Sequence, residues 1–152
     1  MIRRHFVHAG EVFVSSEDIV ISTILGPCVA VSVYDREAGL AGLTHFALPR
    51  PTENPENLLR YGAFAVPALL REMIRAGAVL ARFETRIFGG ASIHGITPEP
   101  TIGTRNVAIA EEELAKMHLA PRERHVLGTR PRKVTFEIKT GIASAVFVGA
   151  GS

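Results

Sequence analysis

Three apolar runs rich in β-branched residues, 18–25, 29–34 and 40–48, are cut apart by polar turn signals at Gly26-Pro27 and at 35–39. Branched side chains suit a pleated, half-buried surface, so these runs predict three strands, and their short connections predict antiparallel hairpins. A polar, proline-bearing stretch over 50–57 follows directly after the third strand and reads as a loop placed to form a rim or lid. From there the period changes. Ala63, Val66, Leu70, Met73 and Ile74 fall near one face of a helix over 58–76, with Gly77 as its stop. Pro67 removes one backbone bond inside that helix, which predicts a kink or a late start.

The run 83–88 predicts a strand that ends in the tight turn Gly89-Gly90. A second helix opens within 101–106 and reaches about residue 118, with Val107, Ala110, Leu114 and Met117 on one stripe. Thr104 is its expected cap, and Glu112 and Lys116 are spaced as a favourable i,i+4 pair. Strands are predicted over 124–127, 133–138 and 143–148, the last two joined by Lys139-Thr140-Gly141. The order βββ-α-β-α-βββ predicts an α/β or α+β fold. It should be one domain over 1–152, with mixed or antiparallel sheet layers and two main helices packed on the sheet.

Composition narrows the function classes. Hydrophobic residues make up 47% of the 152 and charged ones 21%, which excludes a disordered chain and suits one domain with a real core. A net charge of +2 with a pI near 9.0 raises the question of nucleic acid. The densest basic segment, Arg122 to Lys133, has no interleaved aromatic rings, and the chain has no Trp and only two Tyr. Without stacking platforms a solvated basic face is expected there rather than a nucleic-acid site. One cysteine permits no internal disulfide, so nothing points to an oxidising compartment. The start is basic but not followed by a signal-peptide core, and no run approaches the ~18 apolar residues of a membrane span. A soluble cytoplasmic protein with no membrane insertion is expected.

Chemistry concentrates at that cysteine. Cys28 stands at a strand-entry turn, and His45 lies seventeen residues on in the third strand. A thiol and an imidazole that fold together suffice for nucleophilic attack on a carboxamide carbon. Buried cysteines and histidines also serve simply as core residues, and spacing alone does not separate the two roles. If the strands pair, a hydroxyl from the preceding strand, Ser22 or Thr23, can hold the ring in one tautomer; only one of these neighbours can face the site. Pro27 has no N–H, so an oxyanion must be met by the N–H of Cys28 or of a glycine turn. The six histidines, at 5, 8, 45, 94, 118 and 125, show no metal-ligand spacing, and Gly89-Gly90 belongs to no nucleotide motif.

Five motifs in order, Leu25-Gly26-Pro27-Cys28-Val29-Ala30-Val31, Gly42 to Pro49, Ile87-Phe88-Gly89-Gly90-Ala91-Ser92, Ile102-Gly103-Thr104-Arg105-Asn106-Val107, and Arg132-Lys133-Val134 with Thr140-Gly141, closely resemble the chemoreceptor glutamine deamidase family, CheD. The resemblance spans about 18–147. It implies a cytoplasmic chemotaxis hydrolase that converts glutamine side chains of methyl-accepting chemotaxis receptors to glutamate, with ammonia released and no metal or organic cofactor. Carried over position by position, it makes Cys28 the nucleophile and His45 the general base. Ser22, six residues before the cysteine, becomes the third catalytic residue, with Thr23 as the alternative if the turn slips by one. Pro27 departs from the family's usual serine. The resemblance also implies a CheC-type phosphatase as a partner; a non-catalytic adaptor for receptor or phosphatase is the competing reading.

Overall fold

Strands walled on both faces and strands walled on one face alternate along this chain, and that difference sets its layers. The computed structural model describes residues 2–93 and 98–149. Among them are strands β1 (Arg3–Phe6), β2 (Glu11–Ser15), β3 (Ile19–Leu25), β4 (Val29–Asp35) and β5 (Leu40–Phe46). Helix α1 (Gly62–Ala76), strand β6 (Glu84–Gly89) and helix α2 (Ile102–Lys116) follow, then β7 (Glu123–Val126), β8 (Arg132–Glu137) and β9 (Ile142–Phe147). Every residue of β4 and β5 is buried, whereas β3 alternates buried with more exposed positions. The strands form two sheets, ordered β1-β3-β8-β9 and β2-β5-β4-β6-β7.

The five-stranded sheet is the middle layer. One of its faces carries Val29, Val31, Val33 and Phe46, packed with Val66, Leu69 and Met73 of α1 and Ile109 and Leu114 of α2. Its other face carries Ala30, Tyr34 and Leu43, packed with Ile21, Leu25, Val134 and Phe136 of the four-stranded sheet. The result is an α+β domain of helix, sheet and sheet layers; the helices pack on a sheet as expected, and both lie on one side of it. Successive side chains of β4 point into different cores, which is why its apolar run is unbroken. Both sheets are mixed, because β1 pairs parallel with β3 and β6 parallel with β7, while the remaining pairs are antiparallel.

The structure corrects several expectations. Strands β1 and β2 were not legible: β1 reads Arg-Arg-His-Phe and gains its place only by pairing with β3. β4 and β5 form the expected antiparallel hairpin, but β3 and β4 do not; Gly26-Pro27 carries the chain from one sheet to the other. The first helix starts late, at Gly62, after a 3-10 turn at Leu58–Arg60 and an extended Tyr61. Pro67 falls in its second turn. Helix α2 is capped by Thr101, whose hydroxyl accepts from the Thr104 N–H at 3.2 Å, so Thr104 is inside the helix rather than its cap. Lys116 pairs with Glu113 at 2.7 Å instead of Glu112, which is taken by Arg50 at 2.9 Å. The latter bond ties the 50–57 loop to α2. Nor is the basic segment uniformly solvated: Arg132 is buried, its Nε donating to His125 and an Nη to the Leu127 carbonyl, both at 2.7 Å. His94 lies outside the described residues.

Candidate active site

Antiparallel pairing places Ala30 directly opposite His45. Cys28 is two residues before Ala30, and alternation along the strand entry puts its side chain on the same face. Cys28 and Ala30 both pack against the inter-sheet core, in keeping with that placement. The thiol and the imidazole are therefore diagonal neighbours across β4 and β5, roughly 7 Å apart at the backbone. His45 is 6% exposed, whereas Cys28 is half-buried.

A polar chain reaches the imidazole from the other sheet. Thr23 Oγ1 lies 2.7 Å from His45 Nδ1 and 2.6 Å from the Val7 carbonyl oxygen. The carbonyl can only accept, so the single hydroxyl proton of Thr23 is donated to Val7. The hydroxyl oxygen must then accept from Nδ1–H. This assigns the neutral tautomer: Nδ1 carries the proton and Nε2 carries the free lone pair. Val7 is held in turn by its own N–H, which donates to the Ser22 carbonyl at 2.8 Å.

The hydroxyl on the ring is thus Thr23 and not Ser22. In β3, Ile21, Thr23 and Leu25 face the inter-sheet core, while Ser22 belongs to the opposite face between Val20 and Ile24, the latter half exposed. Counting back from Cys28 without gaps gives Ser22, but pleat alternation sends that side chain away from His45. Cys28 and His45 are brought together on one face; Ser22 is not brought to them.

Electrostatics keep both partners neutral at rest. Burial pushes the Cys28 thiol up, opposed by the Arg60 guanidinium and by the Cys28 N–H. Burial pulls His45 down from the ordinary 6.5, reinforced by His8 and opposed by the Val7 carbonyl and Glu11. A neutral imidazole with an open Nε2 is a base in its ready state.

The turn carrying Cys28 is pinned from three directions. The Gly26 carbonyl accepts from the Ala91 N–H at 3.0 Å, and the Cys28 carbonyl accepts from the Gly90 N–H at 3.0 Å. The Pro27 carbonyl accepts from Asn106 Nδ2 at 2.9 Å. Gly89 and Gly90 have φ of +105° and +76°, and a Cβ on Gly89 would collide with the Cys28 carbonyl. The glycine pair is there so that β6 can approach the nucleophile turn closely. Asn106 stands in one of the motifs that carry the family resemblance, but residue type alone assigned it no role. Its complete burial in an otherwise amphipathic helix appears only in the folded chain.

Beside this turn, Pro27, Ala91, Ser92, Ile93, Ile102 and Gly103 line a largely apolar cavity of about 310 Å³. Pro27 forms part of that wall. No group of three or more His, Cys, Asp or Glu gathers among the described residues.

Fold and site together define a two-sheet α+β protein that carries a cysteine and a histidine on one face of its middle sheet, beside the inter-sheet core. The family model described as CheD chemotactic sensory transduction matches residues 47–145. A probable chemoreceptor glutamine deamidase CheD of Burkholderia vietnamiensis is 37% identical over 137 residues, 88% of this chain and 56% of that protein. One from Anaeromyxobacter dehalogenans is 38% identical over 139 residues, 91% of this chain and 81% of that protein. This chain belongs to the CheD family. It spans about half the length of the first of these relatives. Among solved structures, a Bacillus licheniformis hypothetical protein, YfiH, matches with a TM-score of 0.54 and 14% identity over 83% of this chain and 60% of that one, a likeness of fold alone.

Proposed function

We propose that this protein is a glutamine deamidase acting on chemoreceptors, with Cys28 as nucleophile, His45 as general base and acid, and Thr23 as the residue that orients the imidazole. Family membership supplies the substrate class. The observation that carries the chemistry is the chain Val7 carbonyl, Thr23 hydroxyl, His45 Nδ1, which leaves Nε2 free on the face shared with Cys28.

The reaction follows from that geometry. His45 Nε2 takes the thiol proton as Sγ bonds to the carboxamide carbon, and the carbonyl π pair moves onto oxygen. Collapse reforms the C=O bond and breaks C–N, with the imidazolium proton passing to nitrogen so that ammonia leaves. A water then gives its proton to Nε2 and attacks the thioester; the proton returns to Sγ, and glutamate is released. The imidazolium formed on the way keeps its Nδ1–H bond to Thr23, so no rearrangement is needed when charge appears.

The protein is proposed to work in the cytoplasm; no helix among the described residues is long and apolar enough to cross a membrane. A CheC-type phosphatase is its proposed regulatory partner, on family grounds alone. Ammonia release from receptor fragments tests the reading. Wild type should convert target glutamine to glutamate, read as a +1 Da change in the peptide, and Cys28→Ala should not. Equal conversion by both proteins, or none by wild type, would sink it.

A further inference from the structure

Asn106 is wholly buried, and its amide nitrogen lies 2.9 Å from the Pro27 carbonyl oxygen and 3.0 Å from the Ala47 carbonyl oxygen. Only an NH2 group can serve two carbonyls at once, which fixes the orientation of this side chain. Both of its protons are spent: one on the peptide that leads into Cys28, the other on the strand end two residues beyond His45. The remaining oxygen, Oδ1, is buried without a hydrogen-bond partner among the described residues. Leaving a buried acceptor unpaired costs about 1–3 kcal/mol, which offsets part of what the two bonds contribute to folding. Such a cost is expected at positions that serve the reaction.

What the two bonds accomplish follows from peptide planarity. The Pro27–Cys28 bond is trans, the only cis bond among the described residues being Glu99–Pro100. In a trans peptide the C=O and the N–H point in opposite directions. Asn106 draws the Pro27 oxygen toward α2, and so turns the Cys28 N–H away from α2. That N–H donates to no backbone carbonyl among the described residues. The neighbouring carbonyls of Gly26 and Cys28 are held by Ala91 and Gly90, so the turn cannot rotate to find another arrangement. Pro27 itself offers no donor.

We infer that Asn106 is a positioning residue, which sets the plane of the Pro27–Cys28 peptide and aims the Cys28 N–H at the oxygen that becomes negative when Sγ adds to the carboxamide. The second bond, to the Ala47 carbonyl, fastens the same amide group to the end of β5, so that the amide cannot swing away from the Pro27 oxygen. The Cys28 N–H also acts on its own thiol, consistent with its facing the sulfur side. This inference rests on the deamidase chemistry proposed above, although its test does not need the receptor.

The probe is a short peptide with an aldehyde in place of the glutamine carboxamide. The thiol adds across its C=O bond, the π pair goes to oxygen, and the thiol proton, relayed by His45, completes the hemithioacetal. That adduct needs the N–H donor. Alkylation of Cys28 by iodoacetamide, which needs thiol and imidazole alone, is the control. Asn106→Asp and Asn106→Ala should bind the aldehyde roughly 100-fold more weakly, the scale for losing one oxyanion donor. Their alkylation rates and pH profiles should match wild type. On receptor fragments kcat should fall in parallel while KM stays unchanged.

Unchanged aldehyde affinity in either folded variant overturns the inference, and so does an alkylation rate that falls as far as kcat. Should neither variant fold, the wild type still decides: the 15N–1H resonance of Cys28 must move downfield on aldehyde binding, and a stationary one refutes the assignment. A wild type that binds aldehyde but releases no ammonia from receptors would remove the proposed substrate and leave the role of Asn106 standing.

Discussion

Strand β4 begins beside Cys28 and ends at Asp35, and the two ends treat buried polar groups in opposite ways. At the far end, the fully buried Asp35 carboxylate accepts from Arg82 Nε at 2.8 Å and an Arg82 Nη at 3.0 Å. It also accepts from the N–H groups of Val79 at 2.8 Å and Ala38 at 3.2 Å. Every lone pair has a donor, and the Arg82 guanidinium leads in holding the carboxyl down at about 2. At the near end, burial drives the thiol up and the imidazole down, which favours the neutral form of each. A saturated charge steadies the fold. A neutral thiol and imidazole are the resting forms that the proposed proton transfer requires.

The sharpest way to break this contrast is at the near end. His45→Ala should cut turnover on the order of 10³- to 10⁴-fold with the fold retained, since it removes the imidazole proposed to deprotonate the thiol. Full activity in that variant would end the assignment. Next comes the hydroxyl. Thr23→Val should lower kcat on the order of 100-fold by freeing the ring to take the wrong tautomer, and Thr23→Ser should restore most of it. Ser22→Ala should be indistinguishable from wild type; a loss there with Thr23→Val active would return the role to Ser22.

At the far end the effect should appear in stability and not in rate. Asp35→Asn should cost about 2 kcal/mol, because four N–H donors lose a charged acceptor, while kcat is retained. Denaturant unfolding alongside an ammonia assay separates the two. Its titration has a matching signature. The folded carboxyl titrates near 2, below its ordinary 3.8, so the stability it contributes is present above about 3.8 and disappears as pH falls toward 2.

The smallest effect expected is a shape in the pH–rate profile. His45 must be neutral to act, and its folded value is depressed, so the acid limb of kcat/KM should fall below 6.5. The thiol is raised, so the alkaline limb should lie above the ordinary 9.0. His8, Glu11 and Arg60 are the charges that bear on the pair, and the two limbs belong to the coupled pair rather than to either residue alone. An acid limb above 6.5 would mean that His45 is stabilised as a cation, contrary to its surroundings. His45 also binds a proton more readily in the unfolded chain, so folding stability should drop below pH 6.5 as well.

Period and residue type along the chain were enough to place β3 to β5, both helices, β6 and the final hairpin, because each carries its own apolar pattern. They were enough, too, to single out Cys28 and His45, whose chemistry belongs to the side chains themselves. They could not place β1 and β2, short segments that are strands only because β3 and β5 accept them as neighbours. Nor could they choose between Ser22 and Thr23 or give Asn106 a role. A one-residue difference along a strand is a change of face, and which face meets the histidine depends on how two sheets stack. That stacking is a property of the assembled layers. Thr23 comes to His45 from a different sheet, and Asn106 comes to Cys28 from a helix 78 positions further along the sequence.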